Sequence, residues 1–389
     1  MNRISLGLAA LLLSATAVAQ QYADVSVGLL RDTPTASVMV MGDKGPLTIW
    51  ADGKQVGELA SSDGLMIRSS ENGMHAKSLV LDITAKKSFT FRSPVGKGFR
   101  LRNMAPKSAE RAYPGSLEIR KAGGRFLLVA TVPIEEYVAG VVQAEAGKGH
   151  DIEYYKLQAV SCRTYALANK RRHLGEGFEV CDGTHCQVFQ GRNQQDSITQ
   201  AVALTRDLVV VDSDIHLIHA TFHSNCGGET MNAEDVWSKS EPYLVSTMDT
   251  FCLQAPHASW EKSIPRTKWL SYLRRTYGVN TDDSNVVASV TDHIPECREL
   301  YLSNISPEVP LAQIRKEFGL RSAYFSVRPE GDMVVLEGRG FGHGVGLCQE
   351  GAMRMARDGF SYTDILHHYF AKVHLVKLQN LDFFRDDGL

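Results

Sequence analysis

A single carboxylate, Glu145, stands where an apolar run ends and a glycine break begins, in YVAGVVQAEAGKG (residues 137–149). A carboxyl at such a boundary is half desolvated, and desolvation raises its pKa toward the range a general acid needs. Taken alone, the stretch equally suits an acid that closes a helix or pairs with Lys148. Cys181, His185 and Cys186 crowd a turn around Asp182-Gly183 in CDGTHCQVFQG. Cysteine and histidine so close together suit a tetrahedral zinc site, and in an oxidising compartment they equally suit a Cys181–Cys186 disulfide. Gln187 and Gln190 flank Phe189, which offers polar contacts and a stacking face to a sugar. His223, Ser224 and Cys226 lie in HSNCGGET, at the edge of an expected strand. Neighbouring strand residues point to opposite faces, which weakens a Ser–His nucleophile pair there. Cys226 is either a further ligand beside Cys181, His185 and Cys186 or a partner of Cys252. In GRGFGHGVGLCQEG, glycine fills every second position from Gly338 to Gly346, with His343 near the centre. The spacing does not fit G-x-G-x-x-G and no P-loop lysine follows, so phosphate cradling is excluded. Alternating glycines instead permit close backbone approach to an extended ligand.

These residues need elements to hold them. Asp151 is an N-cap for a helix that the apolar spacing of Leu157, Val160, Ala166 and Leu167 carries to about His173. A helix over about 195–206, strands at 208–211 and 216–222, and a strand at 333–337 follow from the same patterning. The glycine loop feeds a helix over about 348–357 that stops at Gly359, and Ser361 with Asp364 forms a capping box for the next. Upstream, short strands at 25–30, 37–41, 47–50, 79–83, 89–91, 117–120 and 126–132 alternate with turns, Asp52-Gly53 and Asp63-Gly64 among them. That half carries no cluster of chemical side chains, and its expected role is to shape and carry the rest. Residues 259–304 read as peripheral, with a helix at 267–277, strands near 286–290 and 300–303, and a proline-led helix at 310.

At 389 residues and 43% apolar, the chain buries a substantial core. A net charge of -2 removes the global basic bias that nucleic-acid binding exploits. Asn2-Arg3, the apolar run 4–16 and Ala17-Val18-Ala19 have the form of a cleaved export signal. No later segment approaches the ~20 apolar residues of a spanning helix. Seven cysteines in an exported chain suggest disulfides with one thiol left over.

Five stretches in this order resemble the SpoIID/LytB family, the stage II sporulation protein D and amidase-enhancer group acting on bacterial peptidoglycan. They are VPIEEYVAGVVQAEA (132–146), KLQAVSCRTYALA (156–168), THCQVFQG (184–191), HSNCGGET (223–230) and GRGFGHGVGLCQEGAMRMARDGFSYTDILHHYF (338–370). The resemblance implies a lytic transglycosylase cutting between N-acetylmuramic acid and N-acetylglucosamine, with Glu145 as the catalytic acid. Glu145 then protonates the glycosidic oxygen and, as base, helps the muramic C6 hydroxyl close a 1,6-anhydro ring. Gln187, His343 and Gln349, with Arg163 and Ser224, are the expected substrate contacts. Some members look able to bind zinc through a Cys/His cluster, so Cys181, His185 and Cys186 carry the metal expectation, as a structural zinc; the acid itself requires no cofactor. Two positions depart from the family's pattern: Cys348 where serine is common, and Ala146 where methionine often follows the glutamate.

The fold class expected is α+β: signal 1–19, a β-rich part 20–131, a catalytic domain 132–375 with a peripheral insertion about 259–330, and a tail 376–389. The expected partners are glycan strands and a cell-wall amidase, in a periplasmic or extracellular setting. The competing function is a non-catalytic glycan-binding amidase enhancer. A zinc hydrolase built on His223 lacks an H-E-x-x-H ligand set.

Overall fold

The computed structural model describes residues 24–303 and 305–381. The expected signal at 1–19 lies outside the described residues. The chain forms two compact units: the described residues up to His219 together with those from Leu375, and Ala220–His374.

The first unit opens with β1 (Asp24–Leu29), β2 (Ser37–Asp43), β3 (Leu47–Ala51), β4 (Lys54–Leu59), β5 (Gly64–Ser70), β6 (Gly73–Lys77), β7 (Asp82–Ala85), β8 (Ser88–Arg92), β9 (Gly98–Asn103), β10 (Arg111–Pro114), β11 (Ser116–Ala122) and β12 (Arg125–Pro133). With β13 (Val180–Cys181) they make a seven-stranded sheet ordered β13-β1-β12-β11-β8-β3-β4 and a six-stranded sheet ordered β10-β9-β2-β5-β6-β7. Alternate residues are buried along β2, β3 and β8, the period-two pattern of strands with one face on a core. Asp52 and Gly53 both take positive φ, 48° and 81°, in the tight turn joining β3 to β4. The strand expected at 79–83 begins only at Asp82, because Leu79 and Val80 are exposed in the preceding turn.

The sequence boundary at 131/132 is not where the chain divides. β12 runs through Pro133 directly into α1 (Ile134–Ala146), so the sheets and the Glu145 helix share one unit. After a Gly147–Gly149 turn comes α2 (Ile152–Ala168), capped by Asp151 accepting from the Glu153 amide at 2.8 Å. It ends at Ala168, five residues before the expected His173. The C-cap Asn169 donates its own side-chain amide to the Tyr165 carbonyl, and charged residues follow. α3 (Asp196–Leu204) and β14 (Leu208–Val211) complete this pass of the chain.

In the second unit, β15 (Phe222–His223) and α4 (Ala233–Trp237) precede β16 (Ser259–Pro265), α5 (Arg266–Tyr277), α6 (Ser284–Thr291), α7 (Leu311–Phe318), β17 (Phe325–Glu330) and β18 (Met333–Arg339). The last three strands form an antiparallel sheet ordered β16-β18-β17. With the helices it encloses a core that includes Trp269, Leu273, Val290, Ile314, Val327 and Leu336. Two strand expectations fail here. Residues 286–290 are helical, because Asp283 caps the Asn285 and Val286 amides. Around 300–303 the pairing reduces to a single bridge between Tyr301 and Pro310. Likewise the strand expected at 216–222 shortens to β15. β19 (Leu347–Cys348) pairs parallel with β15, and α8 (Gln349–Arg357) and α9 (Tyr362–Tyr369) follow, the latter opened by the expected Ser361/Asp364 capping box. β20 (His374–Lys377) returns the chain to pair with β14. No helix among the described residues is long and apolar enough to cross a membrane.

Candidate functional site

α1 buries Tyr137, Val138, Val141 and Val142, so its axis is fixed by the core and its C-terminal end is held in place. Gly140 lets the 186–191 loop close on the helix: a Cβ there would lie 2.3 Å from the Gly191 carbonyl oxygen and 2.5 Å from the Phe189 ring. Tyr137 and Phe189 accordingly pack with ring centroids 5.0 Å apart. That contact delivers the Val188 amide, which donates to Glu145 Oε1 at 2.8 Å. Among the described residues Oε2 has no hydrogen-bond partner. Burial pushes the Glu145 carboxyl above its ordinary 4.5, against the Val188 amide, which pulls the other way. With one oxygen held by an amide, a proton on this carboxyl sits on the other oxygen, from which it can be given away.

The turn beyond Glu145 is also anchored. Tyr155 OH donates to the Gly147 carbonyl at 3.2 Å and accepts from the His150 amide, while Gln195 Nε2 donates to the same carbonyl at 3.3 Å. Gln187 sits beneath the acid's loop, with its Oε1 3.5 Å from Tyr137 OH and its buried Nε2 without a conventional partner. At 2% exposure that amide, like Arg163, is out of a ligand's reach in this structure, so the expected substrate contact at Gln187 is not presented.

Arg163 does something other than expected. It is fully buried on α2, with Nε and Nη2 donating to Glu135 Oε1 and Oε2 at 2.9 and 2.6 Å, and Nη1 to the Leu208 carbonyl at 3.0 Å. A ligand has no access to it. Its part is to bind the first turn of α1, where Glu135 also favours the helix dipole, to α2 and β14.

Cys181, His185 and Cys186 are brought together, and a fourth group joins them. One ligand atom each from His173, Cys181, His185 and Cys186 lies within 4.8 Å of all the others. His173 Nε2 is 3.2 Å from His185 Nδ1, and its other nitrogen, Nδ1, contacts Glu176 Oε1 at 2.7 Å. The Cys181 amide donates to Cys186 Sγ at 3.4 Å, and no disulfide joins the two sulfurs. β13 places Cys181 on β1, opposite Gly28. Two thiols, two imidazoles and a carboxylate behind one of the histidines match the donor set of a tetrahedral zinc site and its outer shell. His173 escaped the sequence reading because helical spacing extended α2 to it. The early stop at Ala168 frees it to turn inward.

In the second unit, Ser224 and Gln349 are the residues just beyond the parallel β15–β19 pair, joined by the Glu350 amide donating to the Ser224 carbonyl at 3.0 Å. Gln349 Nε2 and His223 Nε2 are buried without partners. His343 is held by backbone on both nitrogens: Nε2 lies 3.1 Å from the Phe222 carbonyl, and the Val345 amide donates to Nδ1 at 3.0 Å. Burial lowers its pKa to about 4, so the ring is neutral, donates from Nε2 and accepts at Nδ1. It has no nitrogen left for a ligand; only its ring face remains, packed 5.3 Å from the half-exposed Trp237. Trp237 is the aromatic that sequence reasoning missed, although an isolated tryptophan in a polar helix was the available signal. Cys226 does not join the first cysteine group; it lies with Asp249, Cys252 and Cys348.

A family model described as stage II sporulation protein, SpoIID, matches residues 122–211, the stretch holding Glu145, Arg163, Gln187 and the Cys/His group. Stage II sporulation protein D of Bacillus subtilis (strain 168) is 28% identical over 312 residues, 76% of this chain and 87% of that protein. The protein of the same name from Bacillus amyloliquefaciens is 31% identical over 268 residues, 64% of this chain and 75% of its own length. The amidase enhancer of Bacillus subtilis (strain 168) is 28% identical over 284 residues, 59% of this chain but 39% of that longer protein.

Proposed function

The chain belongs to the SpoIID/LytB family, and from that premise we propose that it is an exported lytic transglycosylase of the bacterial cell wall. The observation that carries the reading is Glu145: a half-buried carboxyl with raised pKa, one oxygen fixed by the Val188 amide and the other free. Protonated Oε2 gives its proton to the glycosidic oxygen between N-acetylmuramic acid and N-acetylglucosamine as the C1–O bond breaks and an oxocarbenium-like centre develops. The muramic C6 hydroxyl then bonds to C1, and its proton returns to Glu145. The product is a 1,6-anhydro end, no water is consumed, and the acid is regenerated. Export is supported by the leader pattern in residues 1–19.

His173, Cys181, His185 and Cys186 would hold a zinc ion. Such an ion supplies structure: it fixes the 181–186 turn whose continuation carries Val188 to Glu145. A partner role is the second reading, favoured by similarity to the amidase enhancer: a glycan-binding protein that stimulates a cell-wall amidase.

The test is mass spectrometry of denuded glycan strands incubated with the wild type and with Glu145→Gln. Anhydromuramic ends from the wild type alone support the proposal. Ordinary reducing ends lost with the variant would replace it with hydrolysis. Binding without cleavage by either protein would leave the amidase-enhancer reading.

A further inference from the structure

The second cysteine group has no part in the chemistry above. Cys226, Asp249, Cys252 and Cys348 are each 0% exposed, and one ligand atom from each lies within 4.8 Å of all the others. They come from three separate segments: the loop after β15, the 3-10 turn at Thr250–Cys252 with its cap Asp249, and the last residue of β19. Cys226 Sγ lies 3.4 Å from Cys252 Sγ and 3.2 Å from Asp249 Oδ2. The Cys226 amide donates to Cys348 Sγ at 3.3 Å. Asp249 Oδ2 also accepts from Tyr369 OH at 2.9 Å, and Oδ1 from the Phe251 amide at 3.0 Å. The Arg298 guanidinium donates to the Cys226 carbonyl.

As ordinary core this is a poor arrangement. A carboxylate removed from water loses its hydration; Tyr369 OH and the Phe251 amide replace part of it, and the three sulfurs add only weak donors. A common cation answers all four groups at once. We propose that Cys226, Cys252, Cys348 and Asp249 form a second metal centre, which takes a divalent cation of the zinc class through three thiolates and one carboxylate oxygen.

The spacing agrees. Zn–S bonds of about 2.3 Å at tetrahedral angles set ligand sulfurs roughly 3.8 Å apart; Cys226 and Cys252 stand slightly closer, at 3.4 Å, and all four ligand atoms lie within 4.8 Å. A Cys226–Cys252 disulfide would account for two of the four groups and leave the convergence of Cys348 and Asp249 on the same point unexplained. The surroundings agree as well. The Cys226 amide aimed at Cys348 Sγ is the kind of N–H donor that steadies a metal-bound thiolate, and Tyr369 orients the carboxylate as an outer-shell partner should. Positive φ at Gly227 and Gly228, 76° and 108°, turns the chain back sharply right after Cys226. Binding involves no electron transfer: each ligating thiol gives its proton to solvent as the S–metal bond forms. The centre would tie β15, β19 and the start of α8 to the 249–252 turn, and so fix the residues that present Ser224 and Gln349.

The test is metal content of the full chain, made in a His173→Ala/Cys186→Ser background so that the first Cys/His group cannot contribute. One equivalent of zinc per chain is expected to remain, and cobalt substitution should give a thiolate-to-metal charge-transfer band of three-thiolate strength. Adding Cys348→Ser should remove that equivalent. Cys348→His keeps a ligand at the position; it should restore the equivalent with a weaker band, which separates lost coordination from a failure to fold. A background variant that folds without metal, a stoichiometry indifferent to position 348, or a Cys226–Cys252 disulfide found by mass mapping would overturn the proposal.

Discussion

Glu145 and His343 are the chemical side chains of the two sequence stretches that stand out most, and the structure treats them in opposite ways. His343 lies in a five-glycine loop, yet both its nitrogens are bonded to its own unit's backbone, at Phe222 and Val345. Glu145 lies at a helix end with no dense motif around it, yet keeps one oxygen without a partner among the described residues while burial raises its pKa. The conspicuous loop uses its histidine to hold shape. The plain helix end leaves its acid able to react. Chemical capacity follows unsatisfied bonding, not the density of the motif around a residue.

The strongest test of that contrast is a pair of variants. Glu145→Gln should lower glycan cleavage by about 10³-fold, the range lost with a general acid. His343→Ala should lower it far less; equal losses, read as anhydro-end release, would erase the distinction. Next in size is a stability effect. Arg163→Met strands the Glu135 carboxylate in a largely buried place and should cost about 3 kcal/mol in denaturant unfolding. An unchanged midpoint would mean that α1 does not depend on that pair. Smaller again, His343→Ala removes two backbone bonds and should cost about 1–2 kcal/mol, which makes it a stability variant before it is an activity variant.

The smallest effect is a pH dependence that only the acid should show. The folded protein holds the Glu145 proton more tightly than the unfolded chain does. Its contribution to stability is therefore fully present below the ordinary 4.5 and is lost as pH rises through the folded value. Glu145→Gln should thus be more stable than wild type at neutral pH, with the gain vanishing below that value in paired unfolding curves. A gain that persists in acid would point to packing instead.

The half-buried helix-end position of Glu145 was legible because its signals are local: an apolar run, an acid, a glycine break. The Asp151 and Ser361 caps and the Asp52-Gly53 turn were legible for the same reason. What the sequence hid depends on distance along the chain. The Val188 amide is backbone and has no residue signature. Arg163 looked like a binding group because nothing local shows that Glu135, 28 positions earlier, takes the Nε–Nη2 edge of its guanidinium and the Leu208 carbonyl takes Nη1. His173 was hidden by periodicity that runs on past the true helix end. The Val286–Val290 β-branched residues favour a strand by propensity, yet Asp283 starts a helix through them; a cap outweighed side-chain preference.

The pairing of β14 with β20 has a consequence for how such a chain is made and varied. The whole of Ala220–His374 is threaded between two strands that lie side by side, so the ends of that long excursion meet at one place in the first unit. On the ribosome, β14 must wait for the entire excursion before its neighbour exists. Because its two ends lie side by side, a change in the length of the excursion need not shift either strand.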